Sequence, residues 1–278
     1  MNYRHSFHAG NFADLVKHAL VLWLLERRQA AGPVTVLDTH AGAGVYDLTG
    51  DAARSKEAEA GIARLMAAAD RPPLIEALAR EVGRLNPHGG AGLYPGSPLL
   101  ISARLRPADR YIGFELNPPV LDLLQQALEP FPRAAARGGD GYDQARAEAA
   151  HARGAFVLID PPFERPDDYL RAADTGAAIA RADPRATVAI WTPLKDLETF
   201  DGFLRRLDQA GVKRALVAEA RLRPLANPMK MNGCAVVVIN PPAGAGAAAA
   251  EVCGWVAGRL GEAGARAEVW MTGEGAAA

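Results

Sequence analysis

The chain has 278 residues, 49% hydrophobic and 23% charged, with a formal net charge of -1. Such a length buries an ample core, and the composition is that of an ordinary globular protein rather than a disordered or fibrous one. No run approaches the roughly 18 uninterrupted apolar residues of a membrane span, 2 cysteines are too few for a disulfide framework, and a nucleic-acid partner would have to be held by a local basic patch.

The N-terminal run MNYRHSFHAGN has no apolar signal core, so a cytoplasmic protein is expected, and it is expected to be a monomer. Phe12 to Ala30 carries apolar side chains at helical spacing, and Gly32-Pro33 stops the predicted helix. Short apolar or β-branched runs then alternate with helical stretches: Val34 to Asp38, Arg110 to Glu115, Ala155 to Asp160, Ala186 to Trp191, Arg214 to Ala220 and Cys234 to Asn240. Weaker strand signals lie at Ala134 to Arg137 and Arg266 to Met271. Such alternation implies crossover connections and a mostly parallel sheet covered on both faces. Only a loop separates Arg214 to Ala220 from Cys234 to Asn240, too little chain for a parallel crossover, so these two strands are predicted antiparallel. A parallel sheet ending in one antiparallel hairpin is the layout of the seven-stranded, Rossmann-like α/β methyltransferase fold, expected here as one domain over residues 1–278. Within it, residues 48–93 hold two helical stretches, Ala52 to Ala69 and Pro73 to Leu85, and read as an inserted helical subdomain.

The strongest chemical signal is Asp160-Pro161-Pro162-Phe163 at the end of the run Ala155 to Ile159. Proline lacks an N–H and fixes the backbone, so nearby carbonyls remain acceptors. With a carboxylate and an aromatic ring, the tetrapeptide suits a flat, amino-bearing group, although Asp-Pro-Pro is also plain turn chemistry. Earlier, the run ending at Asp38 leads into Thr39-His40-Ala41-Gly42-Ala43-Gly44, where Gly42 and Gly44 let backbone approach a ligand. A third glycine of the dinucleotide fingerprint is missing, which weighs against NAD or FAD; Asp38 with glycines four and six residues on instead resembles the first motif of S-adenosylmethionine-dependent methyltransferases. Glu115, at the end of the second long strand, is placed to accept ribose hydroxyls. It lies far beyond the usual spacing of about 20 residues, as the insertion requires. Asp140, in Gly138-Gly139-Asp140-Gly141, is a candidate acceptor for an adenine amine. Lys17 and His18 on the first helix could reach a bound amino acid's carboxylate, and Tyr94-Pro95-Gly96-Ser97-Pro98 reads as a helix start with Ser97 at the N-cap. Four of the 6 histidines fall in the first forty residues, but without metal-ligand spacing, so no metal is expected. Between Arg205 and Lys230 basic residues outnumber acidic ones, and Arg221, Arg223 and Lys230 are candidate RNA contacts.

Taken together, Tyr3 to Asn11, Lys17-His18, Leu37 to Gly44, Tyr94 to Pro98, Asp140-Gly141 and Ile159 to Pro162 resemble the RlmJ family, bacterial 23S rRNA adenine-N6 methyltransferases. The resemblance implies an S-adenosylmethionine enzyme acting on one adenine in helix 72 of 23S rRNA. It implies cofactor contacts at His18, His40, Ser97, Glu115, Asp140, Gly141 and Asp160, with Asp160 also catalytic and Tyr3 closing over the site. The family's motif usually ends in tyrosine; Phe163 keeps the ring and loses the hydroxyl. By residue chemistry Asp160 and the Pro161 carbonyl accept the amine while Phe163 stacks on the base. The motifs also leave open DNA adenine or protein glutamine methylation, and a non-catalytic S-adenosylmethionine or RNA binder.

Overall fold

A computed structural model describes residues 8–49, 56–225 and 231–273. The first helix, α1 (Phe12–Ala30), begins where the Asn11 side chain accepts from the N–H groups of Ala13 and Asp14, a capping arrangement that satisfies two otherwise orphaned donors. It ends before Gly32-Pro33. Strand β1 (Thr35–Asp38) follows, then a short β2 (Val45–Asp47). A π-helical turn at Glu59–Ala63 runs into α2 (Arg64–Ala67), and α3 (Pro73–Leu85) leads to β3 (Leu93–Pro95), which pairs antiparallel with β2. The remaining elements are α4 (Ser97–Ser102), β4 (Arg110–Glu115), α5 (Pro118–Leu128), β5 (Ala134–Gly138), α6 (Gly141–Ala149), β6 (Phe156–Ile159), α7 (Asp168–Ala182), β7 (Thr187–Leu194), α8 (Leu197–Gln209), β8 (Ala215–Arg221), β9 (Gly233–Ile239), α9 (Ala245–Leu260) and β10 (Arg266–Met271).

The main sheet has 8 strands in the order β10-β8-β9-β7-β6-β1-β4-β5. From β5 to β7 all neighbours are parallel, and β9 inserts antiparallel between β7 and β8. The expected α/β layout with its terminal antiparallel hairpin is therefore present, and β10 adds an eighth strand to the seven of the methyltransferase order. The strand order reverses between β1 and β6, so one helix set covers each face and a crevice opens beyond the strands' carboxyl ends. Two buried clusters fill the layers. One joins α1, α9 and the helices after β2; the other joins α6, α7 and α8.

Local sequence explains why the helices after β2 sit where they do. The backbone of the π-helical turn meets the start of α1: Ile62 N–H donates to the Gly10 carbonyl at 2.8 Å. A Cβ at Gly61 would lie 2.3 Å from that same oxygen, so only glycine permits the approach. Because the obstacle is backbone, we expect Gly61→Ala to destabilise the fold by about 1–3 kcal/mol, as overpacking does. Gly83→Ala in α3, where an added Cβ meets nothing within 4 Å, should instead stabilise it by about 0.5–1 kcal/mol. Urea unfolding of the two variants checks the contrast; equal effects would place the contact elsewhere.

Candidate active site

The crevice beyond β1, β4 and β6 holds a cavity of about 330 Å³. Each wall comes from the turn that ends a strand or opens a helix. Lys17 and His18 reach it from α1, His40 and Gly42 from the turn after β1, Ser97 from the start of α4 and Glu115 from the end of β4. Asp140 and Gly141 open α6, and Asp160 ends β6. The structure thus gathers into one cavity residues spread over more than half the chain.

Asp160 is the pivot. Lys17 Nζ donates to its Oδ2 at 2.5 Å and sits 2.8 Å from Asp14 Oδ1, with the lysine side chain only 5% exposed. Burial alone would pull this ammonium's pKa down, but Asp14 and Asp160 outweigh that and raise it well above the usual lysine range. Asp160 lines the cavity, and its Oδ1 accepts no hydrogen bond from any described residue, so one oxygen of a fixed carboxylate keeps its acceptor positions.

The opposite wall is built of acceptors and neutral rings. Glu115 accepts from the N–H groups of Gly42, at 3.1 Å, and Asn117, at 2.8 Å, which leaves outer lone pairs for hydroxyl donors. Gly42 has φ +67, and a Cβ there would fall 2.2 Å from the Tyr46 hydroxyl. Asp140 caps α6 through the N–H groups of Tyr142 and Asp143, and Arg171 donates to its Oδ2 at 2.8 Å. Burial raises the Asp140 carboxyl, while Arg171 and the two N–H groups more than compensate and hold it below its ordinary value. His40 bonds Thr39 Oγ1 and sets its ring edge-on to Tyr142; burial pushes it down to about 4, so it is a neutral imidazole at pH 7. His18 is held by the Tyr94 hydroxyl at 2.7 Å.

Several expected site residues lie elsewhere. Asp38 is fully buried behind the lining, where Oδ2 accepts from Ser97 Oγ at 2.7 Å and from the Tyr111 hydroxyl at 3.0 Å, while Oδ1 has no partner among the described residues. Gly44 packs its backbone toward Leu99 and Ala127 rather than the cavity. Pro161 is buried and Pro162 lines the cavity in its place. Phe163, expected as a stacking face, is turned inward: its backbone is left-handed at φ +50 and its ring packs 4.5 Å from that of Tyr169 and 5.8 Å from Trp191. Arg221 does not present its charge outward. It is 7% exposed and clamped to Glu219, because residues two apart on a strand share a face. Arg223 is half-buried and pairs with Glu262 at 2.7 Å, and Arg206 pairs with Asp174, so two arginines of the basic stretch are paired by elements distant in sequence. Tyr3 and Lys230 lie outside the described residues. Conversely, the chain pattern gave no sign of Arg165, Asp168, Tyr142 or Arg171 in the cavity wall, whereas Asp14 was readable as the i−3 neighbour of Lys17 on α1.

Among the described residues, no group of three or more His, Cys, Asp or Glu is arranged to hold a metal, and no helix is long and apolar enough to cross a membrane. Cys234 and Cys253 are free and buried.

A parallel sheet with an antiparallel β9 beside β7, and a cavity of acceptors beyond β1, β4 and β6, define a Rossmann-like methyltransferase. A family model described as "Ribosomal RNA large subunit methyltransferase D, RlmJ" matches residues 31–272. Two curated relatives bear the name ribosomal RNA large subunit methyltransferase J. The Escherichia coli (strain K12) protein is 34% identical over 87% of this chain and 88% of its own. That of Haemophilus influenzae is 33% identical over the same shares. A crystal structure of a Legionella pneumophila protein superposes with a TM-score of 0.85 at 25% identity, covering 96% of this chain and 99% of that one. The chain belongs to the RlmJ family of large-subunit ribosomal RNA methyltransferases.

Burial pushes the Asp38 carboxyl up to about 6. Between the unfolded value near 4 and that raised value, the folded protein holds a proton the unfolded chain releases, so stability falls as pH rises through this window. Above it the ionised carboxylate is a standing cost. Asp38→Asn keeps the volume and an acceptor for Ser97 and Tyr111, and should stabilise the fold by on the order of 1–2 kcal/mol at pH 8. The gain should shrink toward pH 5. Urea unfolding at the two pH values measures it, and a gain independent of pH would refute a charge-based origin.

Proposed function

We propose that this protein binds S-adenosylmethionine in the cavity and methylates the N6 amine of one adenine in 23S rRNA, in the helix 72 region. The observation that carries the reading is the Lys17-held carboxylate of Asp160, which lines the cavity and whose Oδ1 has no hydrogen-bond donor among the described residues. The cavity's chemistry suits the cofactor. Glu115 would take its ribose hydroxyls, Asp140 its adenine amine, and Lys17, His18 and Ser97 its amino-acid end. The orphaned Asp38 Oδ1 one hydrogen bond behind Ser97 is a negative charge suited to a cationic ligand. When bound, S-adenosylmethionine supplies an electrophilic methyl group on a sulfonium.

The remaining work falls to the chain's own residues. An adenine amine is a poor nucleophile, because its lone pair is delocalised into the ring. Asp160 Oδ1 accepts an N–H of that amine, localising density on nitrogen and stabilising the positive charge that develops there. Lys17, bonded to the other oxygen, fixes the acceptor's direction. The base must be single-stranded or extruded to reach a carboxylate this deep in a crevice.

Asp160→Asn is the direct test. An amide that turns its NH2 toward the substrate opposes the amine's donors, and kcat should fall by at least about a hundredfold, the lower end for a positioned acid-base group. The measurement is single-turnover transfer of labelled methyl to a 23S rRNA fragment, with melting temperature as the folding control. Methylation near the wild-type rate by a folded variant would remove Asp160 from the chemistry, and label on DNA or protein but not RNA would change the substrate.

A further inference from the structure

Helix α7 begins just after the loop that carries Asp160, and its first turns present two side chains to α6. Asp168 and Arg171 are three residues apart and so share one helical face. Asp168 Oδ2 accepts from the Arg165 N–H at 3.0 Å, and Asp168 Oδ1 accepts from the Tyr142 hydroxyl at 3.4 Å. Arg171 Nη2 donates to Asp140 Oδ2 at 2.8 Å, and its guanidinium carbon stands 4.4 Å from the centre of the Tyr142 ring. Both Arg171 and Asp140 line the cavity.

These contacts nearly exhaust the acceptor capacity of Asp140. Its Oδ1 takes the N–H groups of Tyr142, at 3.0 Å, and Asp143, at 3.3 Å. Its Oδ2 takes Arg171. A carboxylate has about four acceptor positions, which leaves one, on Oδ2. The helix-capping bonds hold only Oδ1, so without Arg171 the other oxygen is free to swing about it. The guanidinium is itself fixed from two directions, by its bond to Asp140 and by the face of Tyr142, and a planar fork so held gives a fixed direction to its partner.

We infer that Arg171 is a positioning residue of the cofactor pocket: it orients Asp140 Oδ2 so that the remaining acceptor position meets an exocyclic purine amine, and so makes the pocket select a 6-amino over a 6-oxo purine. The inference rests on the reading of this cavity as an S-adenosylmethionine site. A 6-oxo group would set an acceptor against an acceptor. A site built around one hydrogen bond rejects the analogue that cannot make it, because the protein group is left unpaired. Once Oδ2 can turn away, that penalty is relieved and the affinity for the correct purine drops as well.

Calorimetric titration of the full chain with S-adenosylhomocysteine and S-inosylhomocysteine tests this. Wild type should prefer the adenosyl compound by at least about tenfold. Arg171→Ala should weaken adenosyl binding about tenfold and reduce the preference by a similar factor, as expected when a charge-assisted hydrogen bond is lost. Arg171→Lys, which keeps the charge and loses the fork, should fall between them. Arg171→Met keeps the stem against Tyr142 and removes only the donors, so it carries the same expectation should the alanine variant not fold. In turnover the loss should lie in the KM for the cofactor and be regained at saturation. A folded alanine or methionine variant with unchanged affinity and preference overturns the inference, as does a drop in kcat at saturating cofactor with unchanged affinity. If wild type binds neither compound, it is the cofactor reading itself that fails, and the inference with it.

Discussion

The site depends on one buried ammonium. Lys17 Nζ lies between Asp14, three residues earlier on α1, and Asp160, 143 residues away at the end of β6, with Asp38 close enough to feel Lys17 and Asp160. Taking ions out of water is costly, and a buried pair is weak evidence for stability; removing one partner is another matter, costing about 3–5 kcal/mol because a charge is stranded. Three carboxylates can share this interior only while the lysine is there. That requirement docks α1 against the carboxyl ends of the strands, so the helix that packs on α9 and α3 also sets the direction of the acceptor. The Asn11 cap and the Gly10 N–H bond to Asp14 Oδ2, at 2.9 Å, secure the end of α1 nearest the site.

The sheet was legible from sequence because its strands are contiguous apolar runs and its hairpin is close in the chain. The helix α1 was legible to the residue, since its apolar spacing from Phe12 to Ala30 and the Gly32-Pro33 stop are local signals. The pairing of β2 with β3 was not. Each has 3 residues, one ends in proline, and the ladder joins segments some forty-six positions apart, so nothing local announces it. The ion pairs of the basic stretch were hidden for a related reason. Charge counted along the chain ignores partners that folding brings in: Glu262 for Arg223, Asp174 for Arg206, Glu268 beside Arg221. The Glu219 to Arg221 pair needed no fold to see, because i and i+2 on a strand share a face.

Sequence gives the motif residues as types and says less of their directions. Sequence places an aromatic ring at Phe163 but says nothing of the left-handed backbone, φ +50, that carries the ring inward. Such a conformation costs of order 1–3 kcal/mol in a non-glycine residue and persists only where surroundings over-determine it. Here they do: the ring is held by Tyr169 and Trp191, Asp160 by Lys17, and the Arg165 N–H by Asp168.

The loop after β6 is therefore fixed at three points, and the fixing falls unevenly on its chemistry. An acceptor that must meet a developing charge works only in one direction, and its value lies in being oriented before the substrate arrives, so that no reorganisation accompanies the reaction. A stacking face tolerates sliding and tilt, since aromatic contacts have broad, shallow geometry. The structure puts its rigidity where direction matters. Lys17 clamps one oxygen of Asp160 and leaves the other to the cavity, while the Phe163 ring serves as the anchor that keeps the prolines, and with them the carboxylate, from shifting. The same division holds across the cavity, where Glu115 and Asp140 are each pinned by backbone N–H groups before any ligand is present. For the function proposed, acceptors arranged in advance on both walls would let hydrogen-bond direction weigh more than shape in the choice of ligand.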